Sequence, residues 1–261
     1  MQLSGSVALV TGATGGLGAA TAAAAAEAGA HLIVHGRDAA RTAQLAARLH
    51  CDHVVGDLTD ASSVESISKQ ANAFHGRIDV LINNAGIGHH SPFDRMTQAA
   101  INDLVATNLT APLLLTRAVL PGMLQRGAGH VAFVSSIAGR TAVAGEAVYS
   151  ATKAGLDAFA DALRLEAAGT GVEVSTLVPA VVETGFFATR GVPYTRSSPR
   201  PRPANQVAQQ LVSLIEGGQP ERFTDRSLRV APVLRAAWPA AYNRLAGRWG
   251  DQTRLRGGDP E

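Results

Sequence analysis

Cysteine is almost absent from this sequence: Cys51 is the only one among 261 residues, so no intramolecular disulfide can form. No cysteine and histidine spacing resembles a zinc site, and we therefore expect a reducing, cytoplasmic compartment and no bound metal. No apolar run approaches the ~18 uninterrupted residues of a membrane-spanning helix. The first ten residues also lack the basic and long apolar regions of a secretory signal, so we expect a soluble protein with Cys51 as a small core residue.

Lysine is also scarce, because arginine supplies all but two of the 23 basic residues. Residues 1–186 hold 11 basic and 15 acidic residues, whereas residues 187–261 hold 12 and 6. The arginines of this C-terminal part lie among prolines and apolar residues without the spacing of a recognition motif, so we expect no nucleic-acid partner.

Six short apolar runs alternate with longer segments that suit helices. They predict strands at Val7–Val10, 31–34, 53–55, 80–82, 131–134 and Val172–Val178. Uniformly apolar strands with long crossovers are typical of a parallel sheet that helices cover on both faces. The sequence therefore predicts an α/β fold, a doubly wound parallel sheet in a three-layer, single-domain arrangement.

A glycine-rich loop, TGATGGLG at residues 11–18, follows the first predicted strand and precedes an alanine-rich helix. Its backbone N–H groups and the helix N-terminus can bind a pyrophosphate, although the same loop could simply connect strand to helix.

Three motifs resemble those of the short-chain dehydrogenase/reductase family: the loop pattern TGxxxGxG, the run NNAG at 83–86, and Tyr149 followed four residues later by Lys153. The resemblance covers roughly residues 3–187 and implies a Rossmann-like fold. It also implies hydride transfer between a nicotinamide dinucleotide and a carbonyl or secondary alcohol. The residues that it places against the cofactor are Gly12, Thr14, Gly15, Gly16, Leu17, Gly18, Arg37, Asp57, Leu58, Asn84, Ala85, Gly86, Tyr149, Lys153, Pro179, Val182 and Thr184.

The end of the second strand predicts which dinucleotide binds. Gly36 stands where NAD-using relatives carry an acid, and Arg37 follows with a guanidinium suited to a 2′-phosphate, so NADP(H) is favoured over NAD(H). Alternatively, Arg37 is a solvated loop residue and Asp38 only caps a helix. Asp57 resembles the family's adenine-binding acid, although it could equally cap the next helix.

The same resemblance implies a catalytic tetrad of Asn108, Ser136, Tyr149 and Lys153. On a helix, Tyr149 and Lys153 share a face, so the ammonium and the positive nicotinamide are expected to lower the phenol pKa from its usual ~10 by roughly 3 units, or about 4 kcal/mol. Ser136 and Tyr149 bind the substrate oxygen, with Ser135 as the competing serine. Asn108 holds a water that relays protons to the lysine, unless it only faces solvent or bends the helix.

Two further segments are expected near the cofactor and the substrate. Residues 179–184, PAVVET, resemble the family's PGxxxT segment, with Ala180 in place of glycine. His89, His90, Phe93 and the 185–204 loop are candidates for the substrate pocket because the family places substrate there; the paired histidines could equally be exposed loop residues.

The sequence divides into a core at 1–187, a substrate-loop region at 188–204 and an arginine-rich helical extension at 205–261. Four prolines predict a surface loop at 190–204, and 221–225 could replace the family's glycine-rich seventh strand. A helical stripe with flanking arginines ends the chain, and Pro239 should restart or kink its helix. The stripe is Leu234, Trp238, Tyr242, Leu245 and Trp249, beside Arg235, Arg244 and Arg248.

This stripe packs on its own domain or a symmetric partner, or else covers the substrate mouth or touches an anionic membrane surface. The function expected is reduction of an apolar carbonyl or oxidation of the alcohol, in a homo-oligomer that is a dimer or tetramer. The alternatives are a cofactor-binding regulatory protein with little turnover, and an isomerase or dehydratase.

Overall fold

A parallel sheet runs through the computed structural model, which describes residues 1–195 and 199–249. Within these residues the strands are β1 Val7–Val10, β2 His31–Gly36, β3 Asp52–Val55, β4 Val80–Asn83, β5 Gly129–Val134, β6 Val172–Val178, β7 Val182–Glu183, β8 Arg202–Pro203 and β9 Glu221–Phe223. Seven of them form the main sheet in the order β3-β2-β1-β4-β5-β6-β9, and β7 pairs with β8 beside it. The doubly wound α/β fold is therefore confirmed.

Helices cover both faces of the sheet. They are α1 Gly16–Glu27, α2 Ala39–Leu49, α3 Ala61–His75, α4 Gln98–Val105, α5 Ala111–Arg126, α6 Ile137–Thr141, α7 Ala147–Glu166, α8 Phe186–Thr189, α9 Ala204–Glu216, α10 Val230–Ala237 and α11 Pro239–Trp249. Side chains of β1 alternate between the two faces: Ala8 and Val10 pack with α1 and α9, whereas Val7 and Leu9 pack with α3, α5 and α7. Alternation of this kind is what buries strands on both sides.

All six predicted strands are confirmed. A seventh, β9, pairs in parallel with β6 through Thr176↔Glu221 to Val178↔Phe223, so the predicted substitute strand is confirmed as well. The predicted surface loop at 190–204 is wrong at both ends, because Arg190 is buried and residues 202–203 pair with β7. Residues 196–198 of that loop lie outside the described residues.

Residues 98–126 form one helical stretch that is long and apolar enough to cross a membrane, the only one found in the described chain. Its side chains Leu104, Leu115 and Met123 are fully buried in the protein. The guanidinium of Arg126 donates to the Ile78 carbonyl oxygen at 2.9 Å. These contacts are those of a core helix.

The C-terminal helices are separated at Trp238, and α11 starts at Pro239, as predicted from the proline. The Tyr242 hydroxyl donates to the Thr141 carbonyl oxygen at 3.2 Å, so this member of the stripe contacts its own domain. Leu234 and Trp238 are exposed. The side chains of Leu245, Arg248 and Trp249 lie outside the described part of the structure.

Cys51 is half-buried against the core, and burial raises the pKa of its thiol to about 11.

Two glycines shape the loop between β1 and α1. Gly12 has a φ of +63°, a conformation that suits glycine. Gly18 is tightly packed, because a Cβ there would lie 2.2 Å from the Gly12 carbonyl oxygen. Gly15 is loosely packed, because a Cβ there would have only the Gly12 carbonyl oxygen within 4 Å, at 3.7 Å.

We expect Gly18→Ala to lower the free energy of unfolding by about 1–3 kcal/mol, since the backbone must move to admit a methyl group. The matched variant Gly15→Ala should cost less than about 1 kcal/mol, because its methyl has room. Denaturant unfolding of both variants measures this difference, and equal losses would contradict it.

Candidate active site

One cavity of about 690 Å³ opens at the carboxyl ends of the strands. The structure brings all the predicted cofactor positions to its wall, together with Ser136. Asn108, alone among the predicted cofactor and tetrad residues, is not on the wall. Sequence motifs scattered over residues 12–184 therefore meet in one place.

The NNAG run is tied to the glycine loop. Thr11 Oγ1 accepts hydrogen bonds from the backbone N–H groups of Asn84 (3.1 Å) and Ala85 (3.0 Å). The Asn84 amide donates back to the Thr11 carbonyl oxygen at 2.9 Å. Sequence reasoning gave Thr11 a place in the motif but missed this bridging role.

The same region fits a dinucleotide pyrophosphate. Helix α1 begins at Gly16 without a side-chain cap, so its first N–H groups are available to an anion. A Cβ on Gly16 would lie 2.5 Å from the Thr184 side chain, so only glycine leaves Thr184 its place beside the loop.

His35 supports the loop from behind and was missed by the sequence analysis. Its Nδ1 accepts from the Gly12 N–H at 3.3 Å, and its Nε2 lies 3.2 Å from the Gly56 carbonyl oxygen. Both bonds form when the neutral ring carries its proton on Nε2. Burial lowers the pKa of His35, which favours this neutral form.

The adenosine end of the cavity has two guanidinium groups. Arg37 and Arg41 both line it, and Arg41 Nη2 donates to the Thr14 carbonyl oxygen at 3.1 Å. Asp38 caps α2 by accepting from the Arg41 N–H at 3.0 Å, so its helix-cap assignment is confirmed. A Cβ on Gly36 would lie 2.4 Å from Thr42 Oγ1, which leaves no room for an acidic side chain. Arg41 was missed, although its spacing from Arg37 was visible in the sequence.

Asp57 lines the cavity and does not cap the next helix. Its Oδ1 accepts from the N–H and the hydroxyl of Thr59, both at 2.9 Å, and the backbone bond is the main cause that lowers the Asp57 pKa. Helix α3 is capped by Asp60 instead, which accepts from the Ser62 N–H. The helix-cap alternative for Asp57 is therefore wrong.

Tyr149 and Lys153 lie on one face of α7, as their spacing predicts. The Lys153 ammonium lies 5.9 Å from the centre of the Tyr149 ring and donates to the Val134 carbonyl oxygen at 2.9 Å. Ser136 caps α6 by accepting from the Ala138 N–H at 3.1 Å, and its hydroxyl is hydrogen-bonded with the Tyr149 phenol. The Ser135 hydroxyl is directed away from Tyr149 and faces the Asp157 carboxyl. Ser136 is thus the serine beside the tyrosine.

The protein groups alone do not lower the phenol pKa. Burial raises the pKa of Tyr149 to about 12, and the hydrogen bond with Ser136 only partly opposes this. Burial lowers the pKa of Lys153 to about 8, against the attraction of Asp157. In the protein without a bound dinucleotide, desolvation of the phenol dominates, so the joint lowering by Lys153 and the nicotinamide stays a prediction.

Asn108 is fully buried in a π-helical turn, Ala106–Thr110. Its Oδ1 accepts from the Ile87 N–H at 2.8 Å, and its Nδ2 donates to the Ile87 carbonyl oxygen at 2.9 Å. A Cβ on Gly86 would be 3.4 Å from both Asn108 Oδ1 and Lys153 Nζ, so the amide lies behind Gly86 and near the ammonium. The alternative of a solvent-facing asparagine is wrong.

The segment after β6 accommodates its departure from the family pattern. Ala180 is not among the described residues with positive φ, so alanine is unstrained where the family has glycine. The Ala180 N–H donates to Thr224 Oγ1 at 3.3 Å. Pro179 and Val182 remain on the cavity wall.

Aromatic side chains line the cavity beside Tyr149. The Phe186 ring centre lies 5.7 Å from that of Tyr149 and 5.6 Å from that of Phe187. The Tyr194 ring centre lies 5.2 Å from that of Phe187. Arg190 stacks on Phe187 at 4.5 Å and forms a buried ion pair with Glu146. No sequence signal points to this pair, because its members are far apart in the chain.

The substrate-pocket candidates are only partly correct. His90 and part of the 185–204 loop line the cavity, whereas His89 and Phe93 do not. The Phe93 side chain is 61% exposed, and His89 is half-buried outside the wall.

A cluster of charges lies one helical turn beyond Lys153. Arg140 Nε is 2.7 Å from Asp157 Oδ2, and Arg140 Nη2 is 2.5 Å from Glu221 Oε2. Asp157 follows Lys153 by one helical turn, and burial raises its pKa to about 6. The cluster joins α6, α7 and β9 beneath the cavity.

Known proteins resemble this chain in sequence and in fold. The family model for short chain dehydrogenases matches residues 6–192. The ketoacyl reductase HetN of Nostoc sp. is 40% identical over 190 residues, which are 70% of this chain and 66% of HetN. The 3-oxoacyl-[acyl-carrier-protein] reductase FabG of Vibrio cholerae is 37% identical over 192 residues, 70% of this chain and 76% of FabG.

Two solved structures extend the likeness to the fold. A short-chain dehydrogenase from Sphingobium yanoikuyae in complex with NADPH has a TM-score of 0.80 and 26% identity, covering 97% of this chain and 99% of that one. A gluconate 5-dehydrogenase from Burkholderia cenocepacia in complex with NADP and tartrate has a TM-score of 0.80 and 26% identity, with 88% and 97% covered. This chain belongs to the short-chain dehydrogenase family and is an NAD(P)-dependent oxidoreductase.

Proposed function

We propose that the protein is an NADP(H)-preferring carbonyl reductase or alcohol dehydrogenase that acts on an apolar substrate. The observation that carries this proposal is the meeting of Ser136, Tyr149 and Lys153 with the glycine loop on one cavity wall. Residues 1–187 are the catalytic core in this proposal, and residues 188–204 are the substrate loop. We further propose that the protein is a homo-oligomer in the cytoplasm.

The residues of this chain handle the proton. A bound dinucleotide supplies or accepts a hydride at its nicotinamide ring. Tyr149 donates its phenolic proton to the oxygen of a carbonyl being reduced, and takes it back in oxidation. Ser136, already hydrogen-bonded with that phenol, orients the substrate oxygen. Asn108 fixes the Ile87 backbone near Lys153, where a relay water can return a proton to the Lys153 amine after the ammonium has given one up towards Tyr149.

The raised phenol pKa has a direct consequence for this chemistry. With a pKa of about 12, Tyr149 is protonated near neutral pH, which is the form that reduction needs. Reversible transfer near neutral pH needs a lower phenol pKa than burial alone gives. Lys153 and the positive charge of an oxidised nicotinamide are the groups that we assign to this task.

The cofactor preference rests on charge at the adenosine end. Arg37 and Arg41 line that end, and Gly36 leaves no place for the acid that would bind a ribose hydroxyl. Guanidinium groups bind phosphate with charge-assisted hydrogen bonds. The two solved relatives described above hold NADPH and NADP.

The substrate class rests on the aromatic wall. Phe186, Phe187 and Tyr194 offer apolar surface next to Tyr149, and the buried charges of Glu146 and Arg190 are paired with each other. A ketone without charge fits this wall better than an anionic one. Because two relatives are named ketoacyl reductases, oxoacyl thioesters join apolar ketones among the compounds to test.

We expect Tyr149→Phe to bind NADPH within a few-fold of wild type but to lose about 10²–10⁴ in turnover, since the general acid is gone. Tyr242→Phe is the matched control, because it removes a hydroxyl bonded to Thr141 away from the cavity. NADPH fluorescence titration and the decrease in NADPH absorbance with a ketone series measure both effects. Turnover above a tenth of wild type in Tyr149→Phe would overturn the assignment of Tyr149 as the general acid. Product formed without net NADPH consumption would instead indicate an isomerase or dehydratase.

We expect Arg37→Asp to weaken NADPH binding far more than NADH binding, shifting the preference by about 2 kcal/mol or more as a phosphate partner becomes a like charge. Arg48→Asp makes the same change of charge on an exposed part of α2 outside the cavity and serves as control. Dissociation constants for both dinucleotides decide the matter. Equal weakening of both would show that Arg37 does not contact the 2′-phosphate.

Lys153→Met provides a test of the buried ammonium through stability. Because the Lys153 pKa is lowered, the folded state binds this proton less tightly than the unfolded state. The contribution of Lys153 to stability is therefore present above its unfolded pKa and is lost as pH falls towards about 8. We expect the stability gained by Lys153→Met to be larger at pH 7 than at pH 10, by about 2–3 kcal/mol. Denaturant unfolding at both pH values measures this, and the raised Asp157 pKa acts in a separate window below about pH 6. A difference that does not change with pH would contradict the prediction.

A further inference from the structure

Helix α10 presents an apolar face to solvent. Val230, Val233 and Leu234 share one side of the helix at i, i+3 and i+4, and Trp238 follows at its end. Their exposed fractions are 58%, 65%, 39% and 65% in that order. We call these four residues the α10 face. Apolar residues at helical spacing normally face a core, so this exposure calls for a partner.

The two C-terminal helices are anchored to the protein by other residues. Arg235 Nη1 donates to the Arg140 carbonyl oxygen at 2.9 Å, and the Tyr242 hydroxyl bonds to Thr141. Ala231 and Pro232 are half-buried. No described residue of α10 or α11 lines the active-site cavity, so the α10 face is not a lid over the substrate.

Charge around the α10 face has one sign. Residues 226–249 contain five arginines and no acidic residue. Arg226, Arg229 and Arg244 are exposed. Two carboxylates that precede this segment in the chain already have partners: Asp225 contacts Arg202 and Ser227, and Glu221 contacts Arg140.

We infer that the α10 face docks on the surface of an anionic phospholipid membrane. Trp238 and the aliphatic side chains would enter the boundary between headgroups and acyl chains, while the arginines bind lipid phosphates. A second copy of the chain fits less well, because a two-fold contact would bring the same arginines together without acids to pair with them. Nucleic acid would use the arginines but leave the aliphatic residues and Trp238 in water.

Vesicle sedimentation with the full chain tests this inference without reference to turnover. We expect binding to vesicles of phosphatidylcholine and phosphatidylglycerol, weak binding to pure phosphatidylcholine, and loss of binding at high salt. Val233→Glu should lower the partition coefficient roughly tenfold, because it places a charge in the inserted face. Leu165→Glu is the matched control and should bind like wild type, since it makes the same kind of change at a leucine of α7 that is 79% exposed.

Several results would overturn the inference. These are absence of binding to anionic vesicles, equal loss in Val233→Glu and Leu165→Glu, or binding to a DNA duplex that matches vesicle binding. A self-association measured by sedimentation velocity that Val233→Glu abolishes would assign the face to a second copy instead. Ketone turnover by Val233→Glu in the absence of vesicles should match wild type, so failure here is separable from failure of the proposed enzyme function.

Discussion

The buried ammonium of Lys153 is the charge around which the active site is arranged. An isolated cation cannot leave water without partners. Here the Val134 carbonyl at the end of β5 accepts a hydrogen bond from the ammonium, and the Asp157 carboxyl one helical turn further along α7 attracts it electrostatically. Asp157 in turn holds Arg140, which reaches Glu221 on the last strand. Burial of one ammonium thus fixes two helices and two strands of the sheet relative to one another.

Local patterns predicted the fold, and the family resemblance predicted the glycine loop and the other cofactor positions that line the cavity. Apolar runs bounded by glycine and polar residues revealed the strands, and the spacing of Tyr149 and Lys153 placed them on one helical face. Such signals work because they involve residues close in the chain. The interactions that sequence analysis missed join distant segments: Glu146 with Arg190, and the His35 ring with the Gly12 and Gly56 backbone. The choice between Ser135 and Ser136 also required the structure, because neighbouring serines of one loop can face opposite ways.

The pKa of Tyr149 shows where reasoning from motifs reaches its limit. A lysine four residues away suggests a lowered phenol pKa, since the two side chains share a face. The structure contains that arrangement, yet its ammonium is directed to a backbone carbonyl, and loss of water around the phenol acts in the opposite sense. Burial depends on everything packed around a group, including Phe186 from another segment, so its effect on a pKa cannot be obtained from spacing.

The short ladder between β7 and β8 fixes the two ends of the segment that carries the aromatic wall. Val182 pairs with Arg202 and Glu183 with Pro203, so this segment leaves and rejoins the fold at nearly the same point. The entropy of closing such a loop grows only slowly with its length, so insertions or deletions between residues 191 and 200 would disturb the sheet little. Phe186 and Arg190, in contrast, contact Tyr149 and Glu146 outside the segment, and replacing them would change the surroundings of the phenol.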